Sequence, residues 1–343
     1  VPTSVVAGTP VEAQGETGLT VPQSSMPVVA TESPEAPIQK TTLAQPITIG
    51  SYGDDVTRLQ TRLKELGFDP GPIDGAFGAG TQQAVWAYKK LVMGVPRETL
   101  RSSDNASQVT PQMWLDMQEP IVVQPRRSQG PGSTHVEIYL PQQVMAVFTD
   151  DRPTLIAHVS SGDDQEWCEI VSYDTNERGE PLEERVERDE CGISYTPGGV
   201  FRFNRRYDGN RQSPLGGMYN PVYFNYGIAV HGAQNVPLYP ASHGCIRINM
   251  GLAETFPDLV DNGDRVYVWG QDGKEPEQYT ERQRLPIFNY RNPNSTSTTS
   301  TSTTTTTTTA APSTTDAPTT TRPPSTTTPP ATTVATAPGA AMM

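Results

Sequence analysis

Cysteine and histidine are scarce in this chain, with three and four among 343 residues. No C-x-x-C, H-x-x-x-H or H-E-x-x-H spacing occurs, so a Cys/His metal site is disfavoured. Positive charge is also short. Lys and Arg number 25 against 38 Asp and Glu, a net charge of −13, which argues against a nucleic-acid partner. No uninterrupted apolar run approaches the roughly 20 residues that a membrane-spanning helix needs. The first residues lack the basic region and apolar core of a signal peptide. The chain opens on Val, so two readings stay open: a leader removed, or a start at another codon.

The two ends differ in composition from the middle. Residues 1–45, rich in Pro, Thr, Ser, Val and Ala without a sustained period, read as a disordered linker. Residues 292–343 form a Thr/Pro/Ala tract with no core to bury, which suits a flexible or O-glycosylated stalk outside the cytoplasm. Neither terminal Met follows a cysteine, so there is no prenylation box. Between 46 and 120 the apolar period is helical. Val56, Leu59, Leu63 and Leu66 follow Asp54 and Asp55, either of which can cap a helix that Gly67 ends. A turn-dense F-D-P-G-P-I-D-G-A-F-G comes next; it lacks EF-hand spacing, so Asp74-Gly75 reads as turn chemistry. A second helix carries Ala84, Val85, Tyr88 and Leu91 on one face after Thr81. A third opens T-P-Q-M-W-L, with Thr110 as cap and Pro111 in the first turn.

A linker at 121–132 separates this helical part from strand patterns. Runs at 135–140, 144–149 and 155–160 are β-rich and parted by Pro-Gln-Gln and Asp-Asp-Arg-Pro turns, and 265–269 reads as a closing strand. Asn249 can cap a helix holding Leu252, Phe256 and Val260, which Pro257 kinks or restarts. A C-terminal extension occupies 273–291. Cys168 and Cys191 bracket an acidic segment with little core of its own. A disulfide there, worth about 3 kcal/mol in the chain-entropy model, fits an oxidising compartment and leaves Cys245 as the free thiol. Two unrelated reduced thiols are the other reading.

The chemistry concentrates in H-G-A-Q-N-V-P-L-Y-P-A-S-H-G-C-I-R, from His231 to Arg247. A thiol is nucleophilic only as thiolate and needs a neighbouring base or cation. A strand ending at His231, a loop, and a tight Ser-His-Gly-Cys turn would bring such a base to Cys245. His243 lies only two residues from the thiol and is better placed to shape the pocket. Arg247 has two readings, a partner for a substrate carboxylate or an internal salt bridge. Tyr219, Tyr223 and Tyr226 lie on an aromatic run before His231; alternation makes most of them core or rim, with one or two left to line a substrate channel.

This stretch closely resembles the signature of the L,D-transpeptidases: His-Gly, a short loop, then Ser-His-Gly-Cys, an apolar residue and Arg or Asn. Ser-Ser-Gly at 160–162 and T-P-G-G-V-F at 196–201 resemble further elements of that family. The resemblance covers 133–272, with 168–191 as an insertion. It implies Cys245 as nucleophile, His231 as base, the Gly232 carbonyl as the base's orienting partner, and oxyanion donors among the amides of His243, Gly244 and Cys245, with Ser242 in the pocket. Arg247, Tyr226 and Tyr219 are the expected substrate contacts. The segment from Gly50 to Val85 is similar to the three-helix peptidoglycan-binding domain, G-x-x-G-x-x-V-x-x-L-Q-x-x-L…G-x-I-D-G-x-F-G, and departs from it at Lys89 and Lys90 and in a longer insertion before Thr110. That domain is either a wall binder or a spacer.

The expected fold is therefore multidomain: a small all-α three-helix domain at 46–120, then a mainly-β catalytic domain. The function implied is a cell-envelope, extracytoplasmic L,D-transpeptidase. It would form 3-3 cross-links in peptidoglycan, with a tetrapeptide stem as donor and a stem amine as acceptor, and the resemblance implies no metal or organic cofactor. Hydrolysis of the same acyl-enzyme (an L,D-carboxypeptidase) and a non-catalytic wall-binding role are the alternatives.

Overall fold

A computed structural model describes residues 29–31, 39–175, 181–213 and 215–287. The tail expected at 292–343, and most of the segment expected as a linker at 1–45, lie outside the described residues. The part of that segment that is described is not plain linker. β1 (Val29–Thr31) pairs antiparallel with β2 (Ile121–Val123), and Leu43 is buried in the core.

Four helices precede the main sheets: α1 (Asp54–Glu65), α2 (Ala79–Leu91), α3 (Arg97–Arg101) and α4 (Pro111–Met117). The short α3 falls in the insertion noted before Thr110. The cap of α1 differs from expectation. Gly53 occupies the cap position, and Asp54 and Asp55 fall in the first turn, where their charge complements the helix dipole without a side-chain cap bond. Thr110 caps α4 as the sequence suggests, its hydroxyl accepting from the Met113 amide at 3.1 Å.

The β part holds two five-stranded sheets. The first runs β5 (Arg152–His158), β4 (Val144–Thr149), β3 (Thr134–Tyr139), β14 (Arg265–Trp269), β8 (Gly199–Arg202). The second runs β10 (Asn210–Ser213), β11 (Gly216–Asn225), β12 (Ile228–Ala233), β13 (Ile246–Asn249), with β9 (Arg205–Arg206) also on β11. Between β5 and β8 stands a separate antiparallel hairpin, β6 (Glu166–Thr175) and β7 (Pro181–Ile193), which is the form the expected insertion takes. Asn249 caps α5 (Met250–Thr255) by accepting from the Leu252 amide at 2.8 Å, and a 3-10 turn from Phe256 to Leu259 follows where Pro257 interrupts the helix.

The run V-M-A-V-F on β4 is apolar throughout because both faces of its sheet are covered. Met145 and Val147 face the second sheet and α5, in a core with Val230, Ile246 and Phe256. Val144, Ala146 and Phe148 face the other way and join the helical part, packing with Leu59, Phe68 and Tyr88. The helical part is thus fused to the outer face of the first sheet. The Ile156 amide donates to the Gly67 carbonyl at 2.7 Å, continuing the edge of β5 into the turn after α1. Lys89 and Lys90, the two departures from the three-helix pattern, are both buried. Lys89 donates to the Ala106 carbonyl at 2.8 Å, and Lys90 reaches across to the β part.

Candidate active site

β12 and β13 run parallel with Val230 opposite Ile246 and His231 opposite Arg247. Cys245 therefore enters beside Ala229. Side chains two apart on a strand share a face, so Cys245 and Arg247 project to the same side as Ala229 and His231. All but Ala229 line one cleft of about 640 Å³. Cys245 is the free cysteine; Cys168 and Cys191 face each other across β6 and β7 and are joined in a disulfide.

His231 is buried, and its Nδ1 lies 2.9 Å from the Gly232 carbonyl. A carbonyl can only accept, so Nδ1 carries the proton and Nε2 the lone pair. Burial, the largest influence, lowers the imidazole pKa to about 4; the Gly232 bond opposes this, and the Arg247 charge adds to it. Burial also pushes the Cys245 thiol above its ordinary value, against a backbone hydrogen bond from Ala229 and the charge of Arg247. The thiol donates to the Gly227 carbonyl at 3.7 Å. At neutral pH the site holds a neutral imidazole and a protonated thiol on one face of one sheet.

The Ser-His-Gly-Cys turn is fixed from three directions. Ser242 Oγ accepts from the Gly244 amide at 3.0 Å and donates to the Cys245 carbonyl at 2.6 Å. The Ser242 amide donates to the Ser161 carbonyl at 2.9 Å. Thr196 is a hub: its buried hydroxyl accepts from the Gly162 amide at 2.9 Å and donates to the Gly244 carbonyl at 2.7 Å. The Ser-Ser-Gly, Thr-Pro-Gly and Ser-His-Gly-Cys segments meet there. Gly244 sits at φ +132°, and a Cβ on it would come within 2.8 Å of the Tyr195 carbonyl oxygen, so only glycine fits. Of the three amides expected as oxyanion donors, that of Gly244 has an internal partner in Ser242.

Tyr219 and Tyr226, expected as substrate contacts, do not line the cleft; Tyr223 does. The register of β11 shifts between Tyr219 and Val222, which turns Tyr219 against the backbone at Gly232. Tyr226 lies on the turn after β11 at φ +49° and is 62 % exposed. Arg247 lines the cleft and has no ion pair among the described residues, so the internal salt bridge is absent there. His243 shapes the rim: its Nε2 lies 3.1 Å from a Glu169 carboxylate oxygen, and its ring meets Trp167 edge-on at 5.1 Å between centroids.

Sequence reasoning missed the hairpin wall and a basic wall. Trp167, Tyr173 and Glu190 from β6 and β7 line the cleft, as do Arg205 and Arg211. The aromatic and β-branched residues Trp167, Ile170, Val171 and Tyr173 were the available signal for a strand; nothing local placed it over the thiol. Among the described residues, no group of three or more His, Cys, Asp or Glu is arranged to hold a metal ion, and no helix is long and apolar enough to cross a membrane.

Residues 133–268 match the L,D-transpeptidase catalytic domain and residues 52–91 a putative peptidoglycan binding domain. A crystal structure of an L,D-transpeptidase from Xylanimonas cellulosilytica is 32% identical, with the match covering 69% of this chain and 100% of that one at a TM-score of 0.51. A stretch of 39 residues is 51% identical to the N-acetylmuramoyl-L-alanine amidase CwlM of Mycobacterium tuberculosis; it covers 11% of this chain and 10% of the amidase, so the chain spans a tenth of that relative. The likeness spans the whole of the crystallised Xylanimonas segment, its residues 123–326, and the stretch that matches the catalytic domain includes positions 231 and 245; with a helical peptidoglycan-binding-type region followed by a mainly-β catalytic domain, this chain belongs to the L,D-transpeptidase family.

Proposed function

We propose that the protein is a peptidoglycan L,D-transpeptidase acting through a Cys245 thioester. The observation that carries this is the placement of a free thiol and a neutral, Gly232-oriented imidazole on one face of adjacent parallel strands, in one cleft. His231 Nε2 takes the thiol proton as sulfur attacks the carbonyl of the third residue, a diamino acid, of a tetrapeptide stem. With the Gly244 amide held by Ser242, the amides of His243 and Cys245 are left to meet the developing oxyanion. The C–N bond to the terminal D-Ala breaks, and the imidazolium returns its proton to the leaving amine. The side-chain amine of a second stem then attacks the thioester and gives its proton to His231. Thiolate leaves and is reprotonated, and a 3-3 cross-link remains.

This chemistry places the protein outside the cytoplasm, where its polymer is, and a disulfide at Cys168–Cys191 suits that compartment. The helical part, packed on the first sheet, would hold the glycan near the cleft.

The test is intact-mass spectrometry of the protein and its Cys245→Ala variant after incubation with a disaccharide-tetrapeptide. An adduct lacking the mass of D-Ala, found only with Cys245, followed by cross-linked dimer, is the expected result. Free tripeptide alone would make the protein a carboxypeptidase. Neither adduct nor product, with the thiol shown free, would overturn an enzymatic role in favour of wall binding.

A further inference from the structure

Arg205, Arg211 and Arg247 line the cleft around Cys245, and none of them has an ion pair among the described residues. Some arginines elsewhere find carboxylates, as Arg126 and Arg127 do with Glu275, and others bond neutral oxygens, as Arg202 does with the Gly263 carbonyl and Arg265 with the Tyr267 hydroxyl. What sets these three apart, in a chain with a net charge of −13, is that they gather beside one thiol in one cleft, where Asp163 acts on Arg247 only through its field. Glu190 is an acid in the same cleft, but its carboxylate accepts from the Tyr173 hydroxyl and pairs with no arginine among the described residues.

Two of the three are held in place by aromatic faces. Arg205 is opposite Tyr223 in the β9–β11 register, and its guanidinium lies 4.0 Å from that ring's centroid. Arg211 approaches the same ring at 5.4 Å and the Tyr207 ring at 4.6 Å. One nitrogen of Arg205 donates to the Tyr226 carbonyl at 2.6 Å, which fixes the side chain and leaves its other N–H groups open. Tyr223 is paired with Ala229, the residue beside Cys245, so this stacked pair sits one strand from the nucleophile. A guanidinium stacked on a ring is preorganised, and its planar fork fits a carboxylate with two parallel hydrogen bonds.

We propose that Arg205 and Arg211, braced on Tyr223, form an anion subsite that holds a carboxylate of the acyl-donor peptide, and that Arg247 extends it beside His231. The assignment rests on reading the cleft as a site of peptide acyl transfer. It makes the two arginines specificity-determining residues: a donor bearing a free carboxylate binds there, and its carboxamide counterpart binds poorly.

The experiment has two arms on the full chain. The first measures alkylation of Cys245 by iodoacetate, an anion, and by iodoacetamide, its neutral counterpart, in the native protein and in R205Q/R211Q. The ratio of the iodoacetate rate to the iodoacetamide rate is expected to fall by about fivefold or more in the double variant and to fall in the native protein as salt is raised. Iodoacetamide itself is expected to keep its rate within about twofold, which reports an intact fold and thiol. An unchanged ratio, or an equal loss with both reagents, overturns the subsite. The second arm compares a tetrapeptide carrying free carboxylates with the same peptide carboxamidated. In R205Q/R211Q the KM for the carboxylate form is expected to rise about tenfold with little change in kcat, while the carboxamide form is unaffected. Equal KM changes for both peptides again overturn it. If the native protein turns over neither peptide, the reading as a transpeptidase fails, and the alkylation ratio still decides the subsite.

Discussion

Lys90 Nζ lies 2.7 Å from His158 Nδ1 and 2.7 Å from the Gln143 carbonyl, with both side chains buried. Nε2 of His158 lies 2.9 Å from the Pro237 carbonyl and 3.2 Å from the Val236 carbonyl, so it carries a proton, while Nδ1 lies 3.2 Å from the Gln143 carbonyl as well as against the lysine. Lys90 and His158 thus meet at the Gln143 carbonyl, and the imidazole N–H serves the loop after His231. This chain of bonds runs from α2 through β5 to the segment that supplies Gln234 and Asn235 to the cleft. Lys90 is held well below its ordinary value by burial, with the charge of Arg97 adding to it; His158 is held down by burial and by Lys90.

A depressed lysine makes stability depend on pH in a defined direction. Below its ordinary value of 10.5 the unfolded lysine binds a proton that the folded one does not, so stability falls as pH falls and recovers as pH rises towards 10.5. Each pH unit in that window is worth up to about 1.4 kcal/mol. Denaturant unfolding between pH 7 and 10 is expected to show this slope in the native protein and to lose it in Lys90→Met. Equal slopes in the two proteins would mean that Lys90 is charged in its buried site.

Thr196→Val keeps the shape of the side chain and removes its hydroxyl. The Gly162 amide loses its acceptor and the Gly244 carbonyl its donor, both buried. A cost of about 2–3 kcal/mol is expected, since unmet buried polar groups carry the full desolvation penalty. Acyl transfer should fall more steeply than stability, because the turn presenting Cys245 loses one of its three anchors. Thermal unfolding alongside single-turnover thioester formation separates the two effects, and Thr196→Ser is expected to recover both.

The wall formed by β6 and β7 is tied at its base by Cys168–Cys191 and touches the turn through Glu169 and His243. Replacing both cysteines with serine is expected to loosen the hairpin by up to about 3 kcal/mol in the chain-entropy model. Hydrogen exchange should quicken in β6 and β7 while β3 and β4, whose bonds lie in the buried sheet, keep their protection. Loss of protection in all four strands alike would show that the hairpin is part of the global folding unit.

Which parts of this site were legible depends on how local their cause is. Thr110 and Asn249 cap helices through bonds to residues three positions away, and His231 and Cys245 belong to one short motif on two neighbouring strands. Arg205 and Arg211 reach the cleft through pairing with β11, and Trp167 through a hairpin that folds back over the turn. Their neighbours are set by registers that no local period encodes. Tyr219 and Tyr226 show the same limit from the other side. Simple alternation along the run would bring one or two of these tyrosines to a channel, but shifts in the pairing of β11 with β12 leave Tyr223 there and remove its neighbours. The fused packing of the helical part was hidden for a related reason: an apolar run such as V-M-A-V-F signals two covered faces without saying what covers the second.

The protonation states of His231 and Cys245 yield the prediction closest to the chemistry. With imidazole near 4 and the thiol above its ordinary value, the resting pair is neutral, and the thiolate arises only as substrate arrives and His231 takes the proton. Above about 4 the imidazole is free to accept; below it, Nε2 is protonated and transfer is lost. The acid limb of the pH–rate profile for free enzyme and donor is therefore expected near 4, not at the 6.5 of an ordinary histidine. Alkylation by iodoacetamide, which needs preformed thiolate, should stay slow at neutral pH and rise through 9 without a plateau. Arg247→Gln removes a charge that opposes protonation of the imidazole, so it should move the acid limb upward. The same change removes a cation that favours thiolate, so alkylation should shift to still higher pH. Movement of both curves to higher pH would be hard to produce by a general loss of structure, which lowers both curves without displacing them. A thiolate plateau at neutral pH in the native protein would instead show a standing imidazolium–thiolate pair and overturn the neutral ground state.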